Sequence, residues 1–285
     1  MSAAPRAPRA PGATADRDVE RASETTPKDV VLSLVSHTNV GKTTLARTLL
    51  RREVGEVFDH AHVTEETERF VLIETPAGER VVLADTPGFG DSARLLRRLQ
   101  GRESPLGWLV AQVWDRFAER ALFCSQQAVL HVRDESDVVL YLANASEDPE
   151  AAGYVEPELR ILGWIERPVV VLLNQTGVPG DPAARAADLA RWRRAMAAHP
   201  VGRETVALDA FTRCWIQEGL LFERIRDLLP AGRRAALDAL LARWRAEQRG
   251  ILRGAVETMA ELLATAAADG EPASRSAFGA AERRR

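Results

Sequence analysis

The chain has 285 residues, of which 46% are hydrophobic, so it can bury the core of one good-sized domain with additions or of two small domains. Its net charge of −3 argues against non-specific binding of nucleic acid over the whole surface. A local basic face that binds nucleic acid remains an alternative. The two cysteines, Cys124 and Cys214, form no C-x-x-C pair, which argues against a disulfide framework or a zinc site. With no apolar run of about 18 residues and no secretory leader, we expect a cytoplasmic protein without a transmembrane segment.

Residues 1–27 are rich in Ala, Pro, Arg and Ser without hydrophobic periodicity, which predicts a disordered tail. An apolar run then covers residues 29–35, as in a strand of a parallel sheet that is covered on both faces. A helical pattern begins at Leu45, and between them lie Ser36, His37, Thr38, Asn39, Val40, Gly41, Lys42, Thr43 and Thr44. A buried strand, a tight loop and a helix, in this order, are the context of a phosphate-binding loop.

Residues 36–44, which we call the phosphate loop, depart from the consensus G-x-x-x-x-G-K-[ST] at the first glycine, where the chain has Ser36. The loop's backbone N–H groups and the helix N-terminus present partial positive charge to an anion. We expect Lys42 to reach the β- and γ-phosphates and the Thr43 hydroxyl to bind Mg²⁺. Lys42 is one of only two lysines in the chain, and a compact ammonium suits this position better than a forked guanidinium.

Two short strands are predicted at residues 70–75 and 80–85, joined as a hairpin by residues 76–79. The second strand ends in Asp85, Thr86, Pro87 and Gly88. An acidic residue at a strand end, followed by a glycine turn, is typical of a Walker-B-type Mg²⁺ site. A plain Pro-Gly turn is the alternative, but the phosphate loop upstream favours the metal site.

Beyond Gly88 the pattern alternates helices with buried strands. Residues 92–135 are longer than the dozen or so residues that one crossover needs, so we expect a helical insertion there. Further strands are predicted at residues 137–143, 168–173 and 204–208. Helices are predicted at residues 157–165, 181–198, 212–229 and 230–268, and a disordered tail at 269–285.

This order predicts an α/β fold, a P-loop NTPase three-layer sandwich in which helices cover a mixed, mainly parallel sheet. The expected domains are a nucleotide-binding domain at residues 28–215, with the insertion, and a helical C-terminal region at 216–268. Ligands in such sheets bind at the carboxyl ends of the strands. The loops that carry Ser36, Asp85, Asn174 and Asp209 all follow such ends, which indicates one composite site.

The motifs resemble those of TRAFAC-class GTPases, especially the Era- and TrmE-like branch. Residues 38–44 are similar to that branch's phosphate loop, residues 85–88 match its D-x-x-G motif, and the fit covers about residues 29–215. Residues 85–92, 124–127 and 144–148 also look like a group of uncharacterised bacterial GTPase-domain proteins with a helical C-terminal region. The resemblance implies a GTP-binding G domain.

The resemblance also implies roles for single residues. Mg²⁺ would be held by Thr43 and, through water, by Asp85, while Gly88 would bond the γ-phosphate. A switch threonine should follow Lys42 by about 20 residues. Thr64 is the first choice for it and Thr67 the second, and it would complete the metal ligands.

The base-reading motif departs from the family pattern. Where the family has N-K-x-D, this chain has Asn174, Gln175, Thr176 and Gly177, so the carboxylate that reads guanine is missing. Asp209 and Ala210 stand where the family has the first residues of S-A-K, and the Ala210 N–H is a candidate contact to the base oxygen. GTP is the expected ligand, and relaxed base specificity that admits ATP is an alternative.

The hydrolytic apparatus is also partial. Phe89 stands where Ras-like GTPases carry the glutamine that orients water, and a phenyl ring cannot do this. Asn39 resembles the phosphate-loop asparagine that binds K⁺ in TrmE-like GTPases. There the K⁺ supplies the charge that an arginine finger would supply. We therefore expect slow hydrolysis in a regulatory switch, with Lys42, Asn39 and Thr64 as catalytic residues, Mg²⁺ as cofactor and K⁺ as a second candidate.

The remaining expectations concern partners, an alternative function and two histidines. G domains would form homodimers, and the insertion and the C-terminal helices would contact an effector, with RNA or a membrane surface left open. A nucleotide-binding module that scarcely hydrolyses is the competing interpretation of the same motifs. Two histidines outside the motifs, His131 and His199, are expected at the surface.

Overall fold

A computed structural model of the chain describes residues 29–38, 40–50, 67–112, 118–176, 182–208, 210 and 215–268. The strands are β1 (Asp29–Ser36), β2 (Glu68–Glu74), β3 (Arg80–Asp85), β4 (Val138–Asn144), β5 (Val169–Asn174) and β6 (Glu204–Ala207). The helices are α1 (Lys42–Leu50), α2 (Ser92–Leu99), α3 (Pro105–Ala111), α4 (Arg120–Glu135), α5 (Val155–Ile165), α6 (Pro182–Ala197), α7 (Trp215–Leu228) and α8 (Ala231–Ala268).

One sheet carries all the described strands in the order β2–β3–β1–β4–β5–β6. The pairs β1–β3, β1–β4, β4–β5 and β5–β6 are parallel, and only the hairpin strand β2 runs antiparallel, to β3. Each strand lies within two residues of its predicted bounds. The predicted α/β class with a mixed, mainly parallel sheet is therefore confirmed.

The central strands are buried on both faces, which explains their continuous apolar sequence. In β4, Tyr141 belongs to a core cluster with Leu95 of α2, Ile161 of α5 and Trp192 of α6. The neighbouring Leu140 and Leu142 point to the opposite face and are also fully buried. Helices cover both faces of the sheet. The loops that carry the predicted site therefore lie at the carboxyl ends of the strands.

Between β3 and β4 the chain forms α2, α3 and α4 where one crossover helix would suffice. Asp91 caps α2, since its side chain accepts a hydrogen bond from the Arg94 N–H. Leu95, Leu96 and Leu99 form the buried face of this helix. Pro105 stands at the start of α3, where its missing N–H costs no helical bond. The predicted helical insertion thus has three described helices.

The chain divides into two units, Met1–Leu240 and Leu241–Arg285, and α8 contributes residues to both. In the second unit, residues 249–268 of α8 are exposed throughout. Their large apolar side chains are 49–66% exposed, and they are Ile251, Leu252, Val256, Met259, Leu262 and Leu263. None of the helices in the described part of the chain is long and apolar enough to cross a bilayer.

Candidate nucleotide-binding site

The parallel strands bring the predicted site loops to one edge of the sheet. The phosphate loop follows β1, and the Asp85 turn follows its neighbour β3, with Leu34 of β1 level with Asp85. The Asn174 loop follows β5, and the Ala210 segment follows β6. Hydrogen bonds between these loops define the geometry of the site.

Lys42 and Asp85 form a buried ion pair through Lys42 Nζ and Asp85 Oδ1, and their side chains are only 9% and 4% exposed. The Thr43 hydroxyl donates to the other carboxylate oxygen of Asp85 over 3.3 Å. The first two residues of α1 therefore face the end of β3. A hydroxyl and a carboxylate are hard oxygen ligands of the kind that Mg²⁺ prefers, so these residues fit the metal implied by the resemblance.

Gly41 has two reasons to be glycine. Its φ of +90° lies in the region that side chains with a Cβ rarely adopt. A Cβ placed on it would lie 2.9 Å from Asn174 Nδ2, closer than real Cβ contacts. The consensus glycine before the lysine thus lets the phosphate loop approach the β5 loop.

The first half of the phosphate loop is bonded to the segment after Asp85. The Phe89 N–H donates to Ser36 O over 2.9 Å, and the Thr38 hydroxyl donates to Phe89 O over 3.1 Å. Between these bonds, His37 and Phe89 form a parallel bridge. The Phe89 side chain is fully buried in the core. Phe89 therefore connects two loops of the site through its backbone, while its ring lies in the hydrophobic interior.

Ser36, which replaces the first consensus glycine, is 1% exposed and donates its hydroxyl to the His37 carbonyl over 2.7 Å. Gly88 approaches closely, because a Cβ placed on it would lie 3.4 Å from Ser36 O. On the α1 side, Val40 is buried, and the Thr44 carbonyl accepts from the Thr48 hydroxyl over 3.0 Å. A serine at the first position is thus accommodated by a local hydrogen bond.

His37 is held by a cluster that the sequence did not reveal. His37 Nδ1 bonds Glu158 Oε1 over 2.8 Å, and the Tyr141 hydroxyl donates to Glu158 Oε2 over 2.9 Å. The His37 ring stacks on Tyr154, with centroids 4.5 Å apart and planes 16° apart. The bond to Glu158 raises the pKa of His37, and burial raises the pKa of Glu158. Glu158 is 121 residues from His37, and no sequence pattern links them.

At the base end, Asn174 joins three loops. It is fully buried, and its Nδ2 donates to Val40 O over 3.0 Å. Its Oδ1 accepts from the Ala210 N–H over 2.9 Å, and its backbone O accepts from the Ala145 N–H over 2.7 Å. The Ala210 N–H, a candidate contact to the base, therefore bonds Asn174 here. Gln175 follows with a left-handed φ of 56°.

Several predicted site residues lie outside the part of the chain that the structure describes. They are Asn39, the expected K⁺ ligand; Thr64, the first choice for the switch threonine; and Asp209. The runner-up Thr67 is described and half-buried next to β2. The roles of all four stay predictions.

The expectation that His131 lies at the surface is wrong. Its side chain is 5% exposed, and Nδ1 lies 3.4 Å from Glu135 Oε1. Its Nε2 bonds the hydroxyl of the fully buried Ser33 over 3.1 Å. His131 stands between the apolar Leu130 and Val132, and helical periodicity places it on the inner face of α4.

Residues 31–175, just over half of the chain, match the model of the family described as 50S ribosome-binding GTPase. The chain therefore belongs to this family of P-loop GTPases. No curated protein sequence is significantly similar to the chain.

Two solved structures of Era are similar to the chain. Era in complex with MgGDPNP and a segment of 16S ribosomal RNA is similar over 71% of this chain, with 20% identity and a TM-score of 0.50. An Era variant from Aquifex aeolicus bound to GDP and AlF4⁻ is similar over the same share, with 20% identity and a TM-score of 0.49. This chain spans 57% of the length of each Era chain.

Proposed function

We propose that this chain binds GTP with Mg²⁺ at the carboxyl edge of its sheet and hydrolyses it slowly to GDP and phosphate, as a regulatory switch. The observation that carries the proposal is the convergence of Lys42, Thr43 and Asp85, in a chain of a GTPase family. Lys42 supplies the charge that phosphates need, and Thr43 and Asp85 supply the oxygens that a metal needs.

The proposed roles follow from where each group lies. Lys42 would exchange its partner from the Asp85 carboxylate to the β- and γ-phosphate oxygens, and Asp85 and Thr43 would then hold Mg²⁺. A bound Mg²⁺ neutralises charge that develops on the phosphates. The Gly88 backbone would contact the γ-phosphate, because the Asp85–Phe89 turn lies against Ser36 and Thr38 of the phosphate loop.

Slow hydrolysis follows from Phe89, whose buried ring cannot orient a water molecule. Asn39 as a K⁺ ligand, Thr64 as a switch threonine and dimerisation of G domains remain parts of the proposal that rest on the resemblance to TrmE-like GTPases. Turnover in K⁺ and in Na⁺, measured across protein concentration, tests them. Flat rates that are equal in both salts would contradict the K⁺ and dimer parts.

The proposed effector is a protein that contacts exposed helical surfaces of this chain. The exposed apolar residues of α8 and the insertion helices are the proposed effector surfaces. Era binds an RNA segment in its solved complex, but this chain spans 57% of Era, and its net charge is −3. The negative net charge favours a protein effector over RNA. We also propose a cytoplasmic location, with membrane attachment as the alternative.

Single-turnover hydrolysis of GTP tests the proposed enzyme. Wild type should release phosphate in a Mg²⁺-dependent reaction, and the Lys42→Ala variant should not. The alternative is a nucleotide-binding module with little hydrolysis, which the buried Phe89 ring favours. Wild type that binds GTP but releases phosphate no faster than Lys42→Ala would establish this alternative.

A further inference from the structure

We propose that Glu158 of α5 is a positioning residue of the nucleotide site, which acts through His37 to fix the first half of the phosphate loop against the turn that follows Asp85. The inference rests on the proposed function and deepens it. Nucleotide affinity would depend on Glu158, although this residue lies outside every motif. It is carried by a chain of contacts from the core to the loop.

The first link is the burial of Glu158. Its side chain is fully buried, yet both carboxylate oxygens have partners, His37 on one and the Tyr141 hydroxyl on the other. A buried carboxylate is costly, and an apolar side chain of similar volume often stabilises a core as well or better. Packing alone therefore does not explain a glutamate here, and its bond to a phosphate-loop residue offers the reason.

The second link is the orientation of His37. Tyr154, the N-cap residue of α5, stacks on one face of the imidazole ring, and Glu158, one turn further along α5, bonds its Nδ1. Stacking fixes the plane of the ring, and the hydrogen bond fixes its rotation within that plane. The start of α5 thus determines where the His37 side chain lies, and with it the backbone at this position.

The third link is the backbone around His37. Three consecutive loop residues contact Phe89: Ser36 through its carbonyl, His37 through the bridge and Thr38 through its hydroxyl. Gly88 precedes Phe89 and packs against the same loop. A shift of His37 would therefore move both the phosphate loop and the turn proposed to contact the γ-phosphate. Displacements of about 1 Å in such sites can cost about 100-fold in rate.

A set of matched variants separates positioning from stability. Tyr141→Phe removes a bond to Glu158 without touching His37, so it is the control. Glu158→Leu in the Tyr141→Phe background removes the bond to His37 without leaving the Tyr141 hydroxyl unpaired. The buried Ser92 hydroxyl also loses its bond to Glu158, so the melting curve of this variant is part of the comparison. His37→Phe keeps a ring to stack on Tyr154 and removes the same bond from the other side. Glu158→Gln keeps the size and an oxygen that accepts from His37.

The readouts are the dissociation constants of fluorescent GDP and of a non-hydrolysable GTP analogue with Mg²⁺, and kcat and KM for GTP, with a melting curve for each variant. We expect Tyr141→Phe and Glu158→Gln to bind within about threefold of wild type. The double variant and His37→Phe should bind about tenfold more weakly than their references, with reduced kcat. Rescue by glutamine identifies the hydrogen bond as the means of positioning.

The outcomes can be told apart. A folded double variant that binds and turns over like Tyr141→Phe would overturn the inference, as would a His37→Phe variant equal to wild type. If the double variant does not fold, His37→Phe decides at a temperature below its own melting transition, because His37 is 30% exposed and Glu158 keeps its bond to the Tyr141 hydroxyl. If wild type binds neither nucleotide, the proposed function itself fails; if wild type binds and only these variants show no effect, the inference alone fails.

Discussion

The two ends of the candidate site are built differently. At the phosphate end, charged groups meet: the Lys42 ammonium, the Asp85 carboxylate and the Thr43 hydroxyl lie together with little exposure of the ion pair. At the base end, the neutral amide of Asn174 binds backbone groups of Val40 and Ala210. The proposed phosphate end has charged groups that suit a phosphate ligand, whereas the proposed base end has Gly177 in the sequence where the N-K-x-D pattern has its aspartate.

This difference has a functional meaning. Charge-assisted contacts to phosphates are strong for any nucleotide, while discrimination between bases needs a buried group that one base satisfies and another leaves unpaired. We therefore expect affinity to come mainly from the phosphate end and base preference to be weaker than in GTPases with N-K-x-D. The following changes test this division.

Lys42→Ala should have the largest effect, with hydrolysis lowered about 100-fold or more, because the phosphates lose their cation. It should also destabilise the fold by about 3–5 kcal/mol, since Asp85 would be left as an unpaired buried charge. Single-turnover kinetics and urea unfolding measure the two effects. A Lys42→Met, Asp85→Asn double variant should recover stability and not hydrolysis. Recovery of hydrolysis in the double variant would contradict the role of the lysine.

Asn174→Ala should have the second largest effect, because it removes two hydrogen bonds. One is donated to Val40 O, and the other is accepted from the Ala210 N–H. Each buried group left unpaired costs about 1–3 kcal/mol, and looser loops should weaken GDP binding about tenfold. Urea unfolding and fluorescence titration check these values. The Asn174→Asp control keeps an acceptor for Ala210 N and loses the donor to Val40 O. A variant as stable as wild type would show that the two bonds do not hold the loops.

Gly177→Asp would restore the acid of the N-K-x-D pattern and should raise the preference for GTP over ATP about tenfold. Gly177→Asn is the control, since it has nearly the same size without the charge. The measurement is the ratio of the two dissociation constants. An unchanged ratio would mean that the base does not lie where the family pattern implies.

The pH dependence of stability should differ between two histidines, and this effect is smaller. His37 lies in the phosphate loop, and His131 lies on α4 next to Ser33 of β1. The Glu158 bond raises the pKa of His37 above 6.5, so its stabilisation is present below 6.5 and fades as pH rises through the raised pKa. Burial lowers the pKa of His131, so its stabilisation is present above 6.5 and fades as pH falls.

Urea unfolding between about pH 5 and 8 tests this pair. In His131→Gln the loss of stability on the acid side should shrink, and in His37→Gln the loss on the alkaline side should shrink. The same pH profile in wild type and both variants would contradict the assignment.

The fold was predictable because its signals are local. The apolar runs of β1, β4 and β5 indicate buried parallel strands. The sequence motifs Gly41–Thr43 and Asp85–Gly88 indicate which loops lie at the same edge of the sheet. A sequence pattern of this kind depends on neighbours along the chain, and both motifs are contiguous.

The contacts that complete the site were not predictable, because they join residues far apart. Glu158 lies in an ordinary helical pattern, and only packing of α5 against the loop places it beside His37. His131 was misplaced although its neighbours Leu130 and Val132 are apolar. Its partner Ser33 in β1 is 98 residues away, which the sequence does not reveal. The Ala210 N–H was a candidate contact to the base oxygen, and in the structure it donates to the side-chain oxygen of Asn174 over 2.9 Å.

Calorimetry with GDP and ADP, each with Mg²⁺, tests the central claim most directly. The account predicts that wild type binds GDP with one site per chain, that ADP binds too but more weakly, and that Lys42→Ala binds neither measurably. Wild-type protein that is folded and binds neither nucleotide, or a Lys42→Ala variant that binds GDP as wild type does, would contradict it.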